Sequence, residues 1–250
     1  MPYKFFPEKQ VSADSEETIC KALMNKMSSM DSYTKGETAH EGKCAFLAGD
    51  YENALAFFEQ DLLDNPRCID SLLHVGYCRS IMGQWQDAVQ AYLKLVEIDP
   101  KNGHAYDLLG TSYSKLGRFA EAADALRRAS DMRPSDALIC CNLGSVWRNL
   151  GQMDESLRIL RQAVGLRPDF AFAHFQLGMT QVELDDWHSA EHSFIDAINI
   201  EPDFARAHFN LGIVYAVLGN WRAARQEHEW LANIDFNLAA KLQNAIEGNR

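Results

Sequence analysis

His188 and His192 stand four residues apart, with Asp185 and Glu191 beside them. On a helix that spacing puts both imidazoles on one face, a metal-ligand arrangement and the chain's nearest approach to a metal-dependent enzyme. No third ligand is specified by pattern. No phosphate-cradling glycine loop, nucleophile elbow or paired-carboxylate motif accompanies the pair. Cys20, Cys44, Cys68, Cys78, Cys140 and Cys141 contain no Cys-x-x-Cys spacing, so they read as reduced thiols, neither a disulfide framework nor a zinc site. The expectation is a protein with no catalytic residue, no cofactor and no bound metal.

Recognition of another chain is the chemistry that recurs at a fixed interval. Asn142, Gln176 and Asn210 are separated by 34 residues each, and their amides can both donate to and accept from the backbone of an extended peptide. The same interval separates Pro66, Pro100, Pro134, Pro168 and Pro202. A period of that size marks a stacked array of two-helix units. With each proline at position 32, the units are 35–68, 69–102, 103–136, 137–170, 171–204 and 205–238. The third unit shows the pattern: two amphipathic helical runs joined at Gly117 and closed by Pro134.

Position 8 is Gly42, Gly76, Gly110, Gly144, Gly178 and Gly212. A glycine inside a helix costs about 1 kcal/mol against alanine, so its recurrence implies that a second backbone approaches closely there. Position 20 supplies the facing small residue: Ala54, Ala88, Ala122, Ser156, Ala190 and Ala224. Position 15 is glycine in every unit but the fifth, where Asp185 stands, and it ends the first helix in the left-handed conformation. Tyr51, Trp85, Phe119, Trp187 and Trp221 open second helices at position 17 and are expected to plug the seams between units.

This pattern resembles the tetratricopeptide repeat: Leu109-Gly110, Tyr113, Ala122, Leu126, Ala129 and Pro134 match its signature, as do Leu211-Gly212, Tyr215 and Ala224. Departures are local. Glu41 precedes Gly42, Arg79 and Gln181 replace an aromatic, His228 holds position 24, and Phe236 stands where the next proline is due. The resemblance implies an all-α fold, a right-handed solenoid of stacked antiparallel helix pairs, with first helices lining a concave groove. It also implies protein binding as the function, in an adaptor, assembly scaffold or chaperone that holds a peptide or amphipathic helix of a partner. Positions 2, 5, 6, 9, 12 and 13 of the first helices then face the groove.

Those positions make the fourth unit mainly polar, with Leu138, Cys141, Asn142, Ser145, Arg148 and Asn149. The fifth and sixth units give Phe172, Phe175, Gln176, Met179, Arg206, Phe209, Asn210 and Ile213, an apolar trough at the C-terminal end. Together with Asn142 these are the expected partner-binding residues, because a solvent-facing apolar cluster marks an interaction site. The Lys and Asn pairing that co-chaperone members use to hold acidic C-termini is absent at positions 5 and 9. His174 and His208 share position 4, where the family packs a bulky side chain, so a packing role is expected.

A net charge of −11 argues against a nucleic-acid backbone as ligand. With no apolar run long enough to span a membrane and no apolar signal segment, the expected location is the cytoplasm. Arg127, Arg128, Arg158 and Arg161, on second helices, read as a solvated outer face. Met1 to Val11 has no helical period, whereas Ser15 to Met30 reads as an amphipathic helix that caps the first unit. Homo-oligomers are the alternative, with Phe5 and Phe6 or that methionine-rich helix entering a sister chain's trough. Beyond residue 238, Leu242, Ala245 and Ile246 form a short capping helix.

Overall fold

The structure, a computed structural model, describes residues 37–248. The helix expected from Ser15 and the Met1–Val11 segment lie outside them. Two compact units divide the described residues at the boundary between Lys101 and Asn102. The first holds α1 (Glu37–Leu47), α2 (Tyr51–Asp64), α3 (Ile69–Ile81) and α4 (Trp85–Ile98). The second holds α5 (Gly103–Lys115), α6 (Phe119–Met132), α7 (Ala137–Asn149), α8 (Met153–Leu166), α9 (Ala171–Glu183), α10 (Trp187–Ile200), α11 (Ala205–Val217), α12 (Trp221–Ile234) and α13 (Phe236–Gly248). Within each unit consecutive helices pack as pairs, and the short turns between them make the partners antiparallel. The fold is an all-α stack of tetratricopeptide-type helix pairs, and no strand occurs among the described residues.

The punctuation of the stack is local chemistry. Gly117 closes the first helix of its pair at φ +72°, a left-handed turn that glycine enters without strain. Asp185 makes the same turn at φ +57°, and it is the one non-glycine residue with positive φ among those described. Second helices open on side-chain caps where the sequence allows them. Asp50, Asp186 and Asn220 accept from the backbone N–H of Asn53, Ser189 and Ala223, which satisfies a donor the helix itself leaves free. Asn102 and Asp136 cap α5 and α7 in the same way.

Packing within pairs follows the small residues. A methyl carbon placed on Gly144 would come within 2.5 Å of Leu160 Cγ, so the glycine lets the second helix lie against the first. Ser156, the departure from alanine at position 20, is fully buried and satisfied: its hydroxyl donates to the Gly144 carbonyl at 2.8 Å and meets Thr180 Oγ1 at 2.9 Å. In the second unit Phe175, Phe194, Leu211 and Val214 form one core cluster, against which Phe172, Met179 and Trp187 pack. Ala216, Leu231, Leu242 and Ile246 form the next, closed by α13 and flanked by Phe209, Ile213 and Trp221. In the first unit Phe46, Phe58 and Tyr77 are buried around His74, and the buried Tyr92 packs edge-on to Tyr77.

His174 and His208 lock successive turns of the second unit. Nε2 of His174 lies 2.9 Å from the Pro168 carbonyl, and Nε2 of His208 lies 3.0 Å from the Pro202 carbonyl, the same reach in both pairs. His208 also stacks on Trp230, with ring centroids 3.6 Å apart, and its Nδ1 meets Glu227 at 2.6 Å. The last helix departs from the expected bounds. It begins at Phe236, with the Asp235 side chain accepting from the Leu238 N–H at 3.0 Å and so capping its first turn.

Candidate partner-binding groove

Within the second unit α7 packs directly against α9, and α11 against α13, whereas successive second helices are not in such contact. The side of the first helices is therefore the inner wall. Its open positions are 2, 9 and 13: His104, Leu138, Phe172 and Arg206 at position 2, Thr111, Ser145, Met179 and Ile213 at position 9, and Lys115, Asn149, Glu183 and Val217 at position 13. The wall is polar along α5 and α7. It turns apolar along α9 and α11, where Phe172, Met179, Phe209 and Ile213 are half-buried and Val217 is 44% exposed.

Phe175 does not belong to that open surface. It is 1% exposed, its ring centroid 5.0 Å from Phe204 and 5.9 Å from Phe194, with the Arg206 guanidinium 4.9 Å away over its face. In this pair position 5 points into the seam with the following helix instead of the groove. Leu73, Asp107 and Cys141 occupy the equivalent place in other pairs and are buried as well. Phe209 is less buried because α13 alone follows its pair.

The amide row is likewise drawn inward. Gln176 and Asn210 are each 8% exposed. Asn142 Nδ2 donates to Asp107 at 3.4 Å, Gln176 Oε1 accepts from Arg148 at 3.1 Å, and Asn210 Nδ2 donates to the Arg206 carbonyl of its own helix at 2.8 Å. These amides tie first helices to one another or to themselves. The expected ladder along a bound peptide is thus already engaged at one end of every amide.

The structure adds Arg148. Its guanidinium leaves α7 and reaches α9, where Nη1 donates to the side chain of Gln176 at 3.1 Å and to its backbone carbonyl at 3.3 Å. Burial pushes the guanidinium down to about 10, with Arg206 acting in the same direction and Glu183 opposing it. A signal for it exists in the sequence: position 12 holds Ser80, Ser114, Val182 and Ala216 in neighbouring units, so a long cation there departs from the register.

Other candidates are placed elsewhere. His188 is 81% exposed on α10, with Nδ1 3.9 Å from Glu191, and His192 Nδ1 donates to the His188 carbonyl at 2.7 Å. Among the described residues no group of three or more His, Cys, Asp or Glu is placed to hold a metal ion. Cys78, Cys140 and Cys141 are buried, and burial raises all three thiols, Cys78 to about 12. A shallow cavity of about 470 Å³ opens at the turn between α6 and α7, lined by Arg133, Pro134, Asp136 and Arg167; Arg133 is paired there with Asp136 at 2.5 Å. No described helix is long and apolar enough to cross a membrane.

Solved structures share this architecture. MamA from Desulfovibrio magneticus, from residue 41 to its end, aligns at 22% identity over 68% of this chain and 99% of its own, with a TM-score of 0.64. YrrB, described as a tetratricopeptide-repeat protein with an unusual peptide-binding site, aligns at 24% identity over 75% of this chain and 97% of its own, with a TM-score of 0.57. A chain of the anaphase-promoting-complex assembly Cut9–Hcn1 aligns at 17% identity over 93% of this chain and 46% of its own, with a TM-score of 0.72. No curated protein matches the sequence significantly. Family models of the tetratricopeptide repeat match residues 70–102, 91–124, 108–169 and 175–229, a range that takes in the recurrent glycines from Gly76 to Gly212 and the helix pairs that carry the groove. Repeated sequence and repeated structure agree, and the chain belongs to the tetratricopeptide-repeat family.

Proposed function

We propose that the protein is a non-catalytic interaction scaffold, an adaptor, assembly factor or chaperone of the cytoplasm. It holds a peptide or amphipathic helix of a partner protein against the inner wall of residues 102–250. The observation that carries the reading is the half-open apolar strip of Phe172, Met179, Phe209 and Ile213, bordered by Val217. These side chains pack against a core that Phe175, Leu211 and Leu242 already fill and stay only partly buried, which leaves apolar surface on which a partner's apolar residues can be buried. The peptide-binding site named for YrrB lends the same fold a precedent. Six repeats across residues 35–238, a cap after them and an N-terminal segment over 1–34 are part of this reading.

Panning the full chain against a random peptide library tests it. Peptides should be retained, and Met179→Glu should abolish their capture while helicity by circular dichroism is unchanged. Capture that ignores Met179→Glu would place binding outside this wall.

Self-assembly is a second reading, favoured by Ile234 and Phe236, which stand 59% and 78% exposed at the junction of α12 and α13. Light scattering of the full chain, and of the chain without residues 1–34, decides it: a monomer in both removes the reading.

A further inference from the structure

Arg148 and Arg206 come from α7 and α11 and are held on adjacent residues of the helix between them, Gln176 and Phe175 of α9. Both acceptors of Arg148 are neutral oxygens. A guanidinium carries five N–H donors in a fixed fork that matches a carboxylate. Among the described residues, Arg148 makes hydrogen bonds through Nη1 alone, and no carboxylate is in ion-pair contact with it. Glu183 stabilises its charge without ion-pair contact. A half-buried cation with neutral partners on an inner wall attracts a complementary charge more strongly than the same cation on an open surface.

We propose that Arg148, with Arg206 beside it, docks an acidic side chain, Glu or Asp, of an extended peptide carried by a partner protein. The inference rests on the groove reading above and adds the chemistry of its ligand. The chain carries a net charge of −11, so an acidic peptide is repelled by most of the surface. Attraction at the two arginines sets the register of the peptide, and the strip of Phe172, Met179 and Ile213 takes its apolar residues. The site lies at positions 12 and 2 of two different pairs, apart from the positions 5 and 9 at which co-chaperone members place a Lys and an Asn.

The test uses the full-length chain and random nonapeptides displayed on phage through their C-termini, so that side chains supply every carboxylate. The enriched peptides should carry Glu or Asp at a fixed distance from apolar residues. For a selected peptide, replacing that Glu by Gln should weaken binding about tenfold in fluorescence anisotropy, the size expected for a charge-assisted hydrogen bond. Arg148→Gln should erase the difference, and Arg148→Lys should keep part of it. Circular dichroism of Arg148→Gln separates lost preference from lost fold, and Arg206→Gln, which leaves the Gln176 contact intact, gives an independent reading. Enriched peptides without an acid, or an acid-to-amide penalty equal in wild type and Arg148→Gln, would overturn the inference. If such peptides still require Met179, the groove reading survives; no enrichment, or binding indifferent to Met179→Glu, removes both.

Discussion

Leu242 lies over Gly212, its Cδ2 2.5 Å from where a methyl carbon on that glycine would stand. In each preceding pair the space over the position 8 glycine is taken by position 24 of the same pair: Phe58, Tyr92, Leu126, Leu160 and Phe194. The sixth pair has His228 there, half-exposed. The leucine comes instead from α13, which closes the pair in place of a following one. Leu242→Ala should therefore destabilise the second unit by about 2–5 kcal/mol, as a buried leucine does when removed from a site that cannot collapse. Urea denaturation measures this; a change under about 0.5 kcal/mol would show α13 to be dispensable.

Phe175 and Met179 are one helical turn apart and should respond oppositely. Phe175→Ala empties the seam against Phe194 and Phe204 and is expected to cost about 3–5 kcal/mol of stability. Met179→Glu changes a half-open side chain, costs about 1 kcal/mol or less, and removes peptide capture. Thermal melts alongside binding assays separate the two effects.

His74 should make the first unit sensitive to acid. Burial lowers its proton affinity below the ordinary value of 6.5; Asp70, by its charge and its backbone carbonyl, opposes the shift, and Lys43 adds to it. Nδ1 donates to the Asp70 carbonyl at 2.7 Å, while Nε2 is buried without a partner beside the stacked ring of Phe58. The folded form thus binds the proton less readily than the unfolded form. Stability is complete above pH 6.5 and falls as the pH drops through that value, until the folded form also protonates, by at most about 1.4 kcal/mol per pH unit. Urea midpoints at pH 7.5 and 5.5 should differ more for wild type than for His74→Gln.

Asp185 holds a left-handed conformation that glycine takes at the equivalent turns. Asp185→Gly should raise stability by about 0.5–1 kcal/mol, the strain relieved exceeding the added freedom of the unfolded chain. A melting temperature below that of wild type would show that the aspartate side chain contributes to the turn.

The helix pairs, their turns and the family were legible in the sequence because each rests on a local requirement repeated every 34 residues. Glycine at position 15 and proline at position 32 act within their own turns. Asp185 was visible as an exception, and the backbone bears it out with a positive φ. The groove was legible only in part. Position numbers placed Phe172, Met179, Phe209 and Ile213 on the inner wall, but they also placed Phe175 there, which is buried. A helix period of 3.6 residues makes position 5 neighbour both the groove and the seam, so residue type could not decide between them. The rings of Phe194, from the second helix of its own pair, and Phe204, at the start of the following helix, did.

By itself the sequence determined the repeat, the antiparallel pairs and the inner face, since these follow from backbone conformations and small residues set at fixed intervals. Tertiary structure alone decided that Leu242 closes the sixth pair, that the amides of Gln176 and Asn210 turn inward, and that Arg148 crosses to α9. Each of those depends on which side chain from another helix fills a shared space, and packing between elements distant in the chain leaves no periodic trace along it.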